Sequence, residues 1–237
     1  MAATYTLSPL GDQAVIVEFG KNVTEEIQQN IQSFCTYLMD HPIEGMIEFV
    51  PAFTNVTIFY DPWKVSEQGK KQPYETFSKR VSDRLNSLDF HQNIKRRIVD
   101  IPVCYGEDFG PDLEFVAKHN GMAEEDVIRI HSNGKYLVYM IGFAPGFPYL
   151  GGMSEKIAAP RKASPRKAIP AGSVGIAGAQ TGIYPFETPG GWQLIGRTPL
   201  SLFQPDSTPP TLLQTGDIIR FAPISRAEFD RLKEGQS

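Results

Sequence analysis

The sequence predicts an α+β protein of two domains, an N-terminal α/β domain over residues 1–90 and a C-terminal β domain over residues 91–237. In the first part, amphipathic helical stretches alternate with pairs of strand-forming runs. The second part contains a central segment, residues 142–199, with 11 of the 21 glycines and 8 of the 19 prolines. Proline fixes φ and glycine opens positive φ, so this segment cannot be helical. Its many large apolar residues argue against disorder. We therefore expect short strands and tight turns that form a functional β surface.

The N-terminal domain has the predicted element order β-β-α-β-β-α. Its four strands are expected at residues 5–9, 14–19, 45–50 and 55–60. Asn22 and Glu25 have the spacing of a capping box. The apolar face of the following helix consists of Ile27, Ile31, Phe34, Cys35 and Leu38. A second amphipathic helix is expected at residues 72–88. A polar linker that contains His91 follows it. This order predicts a ferredoxin-like α/β sandwich with both helices on one face of an antiparallel sheet.

The C-terminal domain begins near residue 91, after the polar stretch 89–95. A strand at 98–104, helices at 113–120 and 123–131, and a strand at 136–141 lead into the central segment. Gly110-Pro111-Asp112 is expected to open the first of these helices and Gly121 to close it. After the central segment, Leu212-Leu213 and a strand at 217–221 should complete the β domain, followed by an exposed helix at 227–234.

Composition excludes several classes of function. The net charge of −4 gives no basic footprint for nucleic acid. No apolar run approaches the ~20 residues that a membrane helix needs. The N-terminus lacks the pattern of a signal peptide, so we expect a cytoplasmic protein. Cys35 and Cys104 are expected to be buried free thiols.

Several familiar catalytic motifs are missing from the sequence. Because no G-x-x-x-x-G-K-[ST] string is present, we expect no ATP binding by this chain alone. Ser173 lies outside a G-x-S-x-G elbow and is more typical of a tight turn than of a nucleophile. The four histidines lack the i, i+4 spacing of metal ligands, so no metal site is expected. His131 stands out because it precedes the strand that enters the central segment; the alternative is a helix-terminal histidine near the carbonyl dipole.

A basic loop, residues 160–167, contains Pro-Arg-Lys-Ala twice. Arg161, Lys162, Arg166 and Lys167 are therefore close together, and guanidinium groups bind carboxylate or phosphate well. The alternative is a solvated loop. The candidate pocket residues are His131, Arg161, Arg166, Gln180, Tyr184 and Gln193. The candidate partner-binding patch consists of Phe143, Pro145, Phe147, Pro148 and Trp192, residues that could equally pack inside the β domain.

Several segments together resemble one known family. They are SPLGDQAVIVEFG near the N-terminus, then GFAPGFPYLGG, PRxxSPRxxIPAGSVGIAG, QTGIYP and PGGWQLIGRTP. The segments EFVPAFTNVTIFYDP and IPVCYG…GPDLEFVA match as well, so the resemblance covers nearly the whole chain. Together they are similar to the allophanate hydrolase subunit 1 family, which includes the B subunit of bacterial 5-oxoprolinase and the sporulation kinase A inhibitor of bacilli. The resemblance implies that the C-terminal domain is a cyclophilin-like β-barrel.

The resemblance also implies a function that needs partner chains. With subunits A and C, such a chain forms an ATP-dependent 5-oxoprolinase that opens 5-oxoproline to glutamate; the complex uses ATP, and this chain alone binds no cofactor. A similar pair forms part of fused urea carboxylases. The amidase serine signature is absent, so the residues do not support the hydrolase label. The alternative is a regulator that inhibits a sensor histidine kinase and is antagonised by its partner, a C-type subunit. Prolyl isomerase activity has no matching residue pattern.

Overall fold

The computed structural model describes residues 4–90 and 96–235. The chain divides into two compact units, Met1–Lys95 and Arg96–Ser237. Each unit has its own hydrophobic core. The predicted boundary near residue 91, most of the predicted linker and His91 lie outside the described residues. The predicted α+β fold class is confirmed.

The N-terminal unit is an antiparallel sheet covered by helices. Its strands are β1 (Thr6–Leu10), β2 (Ala14–Glu18), β3 (Met46–Pro51) and β4 (Asn55–Tyr60), in the order β1-β2-β4-β3. Its helices are α1 (Glu25–Asp40), the short α2 (Pro62–Val65) and α3 (Pro73–Ser87). Phe34 of α1 and Phe77 of α3 are fully buried in one cluster with Val56 and Ile58 of β4. Because residues 56 and 58 share one face of the strand, both long helices pack on that face.

The start of α1 corrects one prediction. Thr24, not Asn22, is the N-cap: its side chain accepts a hydrogen bond from the N–H of Ile27 at 3.2 Å. Thr24 has the extended backbone of an N-cap and directly precedes the helix, so it satisfies an N–H that has no partner within the helix. Asn22 lies two residues too early. His41 is the C-cap that ends the helix.

The C-terminal unit is built on a seven-stranded sheet. Its order is β10-β9-β12-β5-β13-β6-β7. The strands are β5 (Ile98–Tyr105), β6 (Tyr136–Ile141), β7 (Pro148–Gly151), β9 (Ser173–Ala177), β10 (Gln180–Ile183), β12 (Gln193–Arg197) and β13 (Ile218–Pro223). Strands β5 and β13 run parallel, and the other pairs are antiparallel. The edge strands β7 and β10 lie close together, so the sheet nearly closes into a barrel. A separate ribbon pairs β8 (Arg166–Ile169) with β11 (Thr188–Gly190).

Helices α4 (Leu113–His119), α5 (Glu124–Ser132) and α6 (Arg226–Glu234) belong to this unit. Gly121 follows the C-cap Asn120 with φ of +66°, the backbone that ends a helix. Leu212-Leu213 packs in the core of this unit, outside the strands named above. Leu213 is buried, and the N–H of Leu212 donates to the carbonyl of Leu202 at 2.9 Å. The local β contact is instead a bridge between Phe203 and Thr211.

The two cysteines differ in their surroundings. Cys35 is a buried free thiol, as predicted, and burial raises its pKa to about 12. Cys104 is a free thiol as well, but it is only partly buried because it lies near the end of β5. No helix in the described part of the chain has both the length and the apolar character to cross a membrane.

Candidate functional site

A cleft of about 180 Å³ lies in the C-terminal unit. It is lined by Phe143, Phe147, Tyr149, Arg161, Gln180, Tyr184, Pro189, Gly190, Gly191 and Trp192. These residues come from β7 and the turn before it, the basic loop, and the stretch from β10 to β12. The cleft thus brings together three pocket candidates, Arg161, Gln180 and Tyr184. Three patch candidates, Phe143, Phe147 and Trp192, lie beside them.

One wall of the cleft is aromatic. The ring of Phe147 packs edge-to-face on Tyr149 at 5.4 Å, on Tyr184 at 5.8 Å and on Trp192 at 5.9 Å. Such pairs stabilise beyond their buried area. Phe147 and Tyr184 are buried in this cluster, which is separate from the barrel core, and Trp192 packs against it while partly exposed. Trp192 therefore packs on this separate cluster rather than inside the barrel core.

Gly182 on β10 lies close against this wall. A Cβ atom there would lie 3.1 Å from the Trp192 ring and 3.2 Å from the Phe147 ring. Because real Cβ contacts are rarely so short, a larger residue at this position would push the aromatic rings away from the strand. The glycine-rich character of the central segment thus serves close packing at this point.

The exposed part of the patch is smaller than the sequence suggested. Phe143 is 74% exposed and Pro145 is exposed as well. Phe147 is buried in the aromatic cluster. Pro148 is buried too, and it begins β7, where it pairs with Ile141. Phe143 has φ of +68°, a left-handed backbone that costs a non-glycine residue about 1–3 kcal/mol. Its ring contacts Phe147 edge-on at 5.5 Å.

Asp112, which the sequence pattern indicates only as part of a helix start, holds the basic loop. Asp112 Oδ1 accepts hydrogen bonds from Lys162 Nζ at 3.1 Å and from Arg166 Nη2 at 2.8 Å. Burial alone would raise the pKa of Asp112, but the hydrogen bonds from Arg166, the Leu194 N–H and Lys162 outweigh it and lower the pKa. Asp112 is therefore an ionised carboxylate in a partly buried cluster. Its partners follow about fifty residues later, so no local signal in the sequence reveals the pairing.

The four cations of the basic loop thus differ in their surroundings. Arg161 is exposed and lines the cleft, and Lys167 is exposed outside it. Lys162 and Arg166 are partly buried on Asp112. Arg166 Nη1 is buried without a hydrogen-bond partner within residues 4–90 and 96–235. An unpaired buried donor destabilises the fold. The contact that holds the guanidinium in this position is the hydrogen bond from Nη2 to Asp112.

Tyr184 supplies a hydroxyl to the cleft. Burial raises its pKa above the usual value, while a backbone hydrogen bond with Trp192 and the charges of Arg161 and Arg166 oppose the rise. The hydroxyl is therefore protonated at neutral pH and can donate a hydrogen bond. Gln180, at the start of β10, is exposed and offers both an amide donor and an acceptor.

The other three pocket candidates do not line the cleft: Arg166, held by Asp112, and then Gln193 and His131. Gln193 is buried and its Nε2 donates to the carbonyl of Pro160 at 2.8 Å, so it supports the start of the basic loop. His131 is fully buried in the barrel, where it stacks on Phe221 with ring centroids 4.4 Å apart. Neither side chain lines the cleft. In the described residues, no group of three or more His, Cys, Asp or Glu side chains is placed to hold a metal ion.

The chain matches one protein family over most of its length. The family described as the carboxyltransferase domain, subdomain C and D, matches residues 5–213. The chain belongs to this family. It is 53% identical over 237 residues to the B subunit of 5-oxoprolinase from Bacillus subtilis, covering 99% of both chains. It is 42% identical over 217 residues to the B subunit of 5-oxoprolinase from Escherichia coli O157:H7, covering 90% of this chain and 94% of that one. The family resemblance predicted from the motifs is confirmed.

A solved structure supports the fold of this carboxyltransferase-family chain. The structure named TTHA0988 superposes with a TM-score of 0.77 at 34% identity and covers 90% of this chain. This chain spans 40% of the length of that one. Other relatives of this chain are longer: it is 25% identical over 261 residues to the urea amidolyase of Lachancea kluyveri, of which it spans 14%.

Proposed function

We propose that the chain is the non-autonomous B subunit of an ATP-dependent 5-oxoprolinase, which acts with subunits A and C to convert 5-oxoproline to L-glutamate. The observation that carries this proposal is the full-length similarity, at 53% identity, to a protein named as the B subunit of 5-oxoprolinase. The cytoplasm, which supplies ATP, is the compartment we propose for this reaction.

The chemistry of the cleft fits this substrate. 5-Oxoproline carries one carboxylate and one lactam group on a small ring. The Arg161 guanidinium can bind the carboxylate with charge-assisted hydrogen bonds. The Gln180 amide and the Tyr184 hydroxyl can bind the lactam carbonyl and N–H. The aromatic wall offers an apolar surface to the ring methylenes.

The cleft also fits a subunit that a partner completes. Its lining residues provide binding groups, but they include no serine, cysteine, histidine or carboxylate for nucleophilic or acid–base work. In this proposal the ring-opening chemistry and the use of ATP belong to the complex, and this chain alone binds no cofactor. The proposed contact for the C subunit is the exposed turn of Phe143, at the edge of the cleft, and Pro145.

Reconstitution tests the proposal. Co-purified subunits A, B and C should release glutamate from 5-oxoproline with ATP, and omission of this chain should abolish the release. Arg161→Ala should lower kcat/KM roughly 10- to 100-fold, because a charge-assisted hydrogen bond contributes about 1.5–3 kcal/mol. Lys167→Ala is the matched control: it removes an exposed cation of the same loop that does not line the cleft. Undiminished glutamate release without this chain would overturn the proposal.

The exposed Phe143–Pro145 turn also favours a second candidate function. A regulatory protein could use this apolar surface to bind the helices of a sensor histidine kinase and inhibit its autophosphorylation, with the C subunit competing for the same surface. Kinase autophosphorylation that is unaffected by micromolar amounts of the chain would remove this candidate.

A further inference from the structure

Asp112 is hydrogen-bonded to the barrel sheet through both its backbone and its side chain. It lies directly before α4 and is 6% exposed. Its N–H donates to the carbonyl of Leu194 at 2.9 Å, and its Oδ2 accepts the N–H of Leu194 at 2.7 Å. Leu194 belongs to β12, a strand within the barrel sheet. The position of the carboxylate is therefore set by the backbone of the sheet.

The other carboxylate oxygen holds the basic loop. Oδ1 accepts from both Lys162 and Arg166, which are on either side of the turn in the loop. Two further hydrogen bonds fix the beginning of the loop. The Lys162 N–H donates to the carbonyl of Gly191 at 2.7 Å, and Gln193 Nε2 donates to the carbonyl of Pro160. Arg161 lies between these two contacts and lines the cleft.

Charge explains why this arrangement depends on Asp112. Lys162 and Arg166 are partly buried, with 32% and 25% of their side-chain surfaces exposed. Partly buried cations need a counter-charge, and removal of one partner leaves the others uncompensated. Without the carboxylate, the two cations would repel each other and move toward water, and the loop would move with them.

We propose that Asp112 is a positioning residue for the cleft: by joining β12 to Lys162 and Arg166, it holds the basic loop so that the Arg161 guanidinium faces a substrate with one carboxylate. This inference rests on the proposed function. It extends that function by assigning a role to a buried residue that does not itself line the cleft.

Two effects of Asp112→Asn have opposite signs, which makes the test sharp. The substitution keeps the size of the side chain and removes a negative charge near the cleft. If only net charge mattered, the affinity for a carboxylate substrate would rise. If position matters, the KM for 5-oxoproline should rise, roughly 10- to 100-fold, with a smaller change in kcat.

Asp217 provides the matched control. It is also a buried aspartate, 4% exposed, that binds an arginine (Arg97 Nε at 2.9 Å) and a backbone N–H (Gln214 at 2.7 Å). It does not line the cleft. Asp217→Asn should therefore lower the melting temperature about as much as Asp112→Asn while leaving the KM unchanged.

A double-mutant cycle separates positioning from a general loss of stability. If Asp112 acts through Arg161, then Arg161→Ala should have little further effect on KM in the Asp112→Asn background. All variants are measured as glutamate release by the reconstituted complex. A second readout is fluorescence titration of the chain with 5-oxoproline in a Trp63→Phe background, where Trp192 in the cleft is the remaining tryptophan.

The outcomes distinguish the two proposals. A wild-type complex without turnover overturns the proposed function and this inference with it. Turnover by the wild type, combined with an unchanged or lower KM for Asp112→Asn, or with fully additive effects in the cycle, overturns the inference alone. Should Asp112→Asn fail to fold, Arg166→Met breaks the same contact from the loop side. An unchanged KM for that variant likewise overturns the inference.

Discussion

Among single residues, His131 shows how burial keeps an imidazole neutral and a hydrogen-bond chain sets its tautomer. Its Nδ1 lies 2.8 Å from the Tyr105 hydroxyl, and its Nε2 lies 2.9 Å from Thr181 Oγ1. Thr181 already donates its proton to the carbonyl of Gly175 at 3.1 Å, so it must accept from Nε2–H. Nδ1 is then the acceptor of the Tyr105 proton. The imidazole is neutral, and burial lowers its pKa to about 3.

This buried histidine predicts a pH dependence of stability. An unfolded histidine has a pKa of about 6.5, so between about pH 6.5 and 3 the unfolded state binds a proton that the folded state excludes. The penalty is absent above pH 6.5 and grows by up to about 1.4 kcal/mol per pH unit below it. Urea unfolding between pH 7 and 5 should show this loss in the wild type and a shallower slope in His131→Gln. The exposed His119→Gln serves as control, and equal slopes for wild type and His131→Gln would contradict the prediction.

Phe143 combines a strained backbone with an exposed ring. Because the residue is 74% exposed, burial does little to offset the left-handed φ of +68°. Phe143→Gly and Phe143→Ala both remove the ring, but only glycine relieves the strain. We expect the glycine variant to be about 1–2 kcal/mol more stable than the alanine variant in urea unfolding. Because Phe143 is our proposed contact for the C subunit, both variants should bind that subunit more weakly than the wild type in calorimetric titration. Wild-type affinity in both variants would show that the ring is not a partner contact.

Elements with local signals could be predicted from the sequence. The 3.6-residue periodicity located α1 and α3, and dense β-formers located β2 and β4. The glycines and prolines of the central segment indicated strands and turns, but not which strands pair. The β8–β11 ribbon joins Ile169 to Thr188, a contact between segments that no local pattern specifies.

The candidate site could be predicted only in part, for the same reason. Arg161, Gln180 and Tyr184 carry suitable chemistry within one segment, and the structure brings them to one cleft. His131 has suitable chemistry as well, but it lies on the buried face of α5 and points into the core. For Asp112 the reverse holds. Its position before a helix suggested only a local role, but in the structure it binds two cations of the basic loop. Long-range pairing of charges depends on topology, which one sequence does not reveal.

At the scale of the whole molecule, the cores follow the division of the chain. One cluster, which includes Phe34, Ile58 and Phe77, is confined to the N-terminal unit. The barrel core and the aromatic cluster around Phe147 are confined to the C-terminal unit. The proposed site draws all its lining residues from the C-terminal unit. Asp112, which we propose as its positioning residue, belongs to that unit too.

Separate cores predict that each unit folds as an isolated fragment. A domain of roughly 150 residues buries about 70% of the surface that its unfolded chain exposes, enough for an independent core. Fragment 96–237 should therefore give a dispersed amide NMR spectrum and a cooperative thermal transition. Ile195→Ala, in the barrel core, should destabilise this fragment by about 2–5 kcal/mol. Phe34→Ala should destabilise fragment 1–95 by about 3–5 kcal/mol. A collapsed, poorly dispersed spectrum for fragment 96–237 would show that the barrel core is insufficient by itself and that folding of the site requires the N-terminal unit.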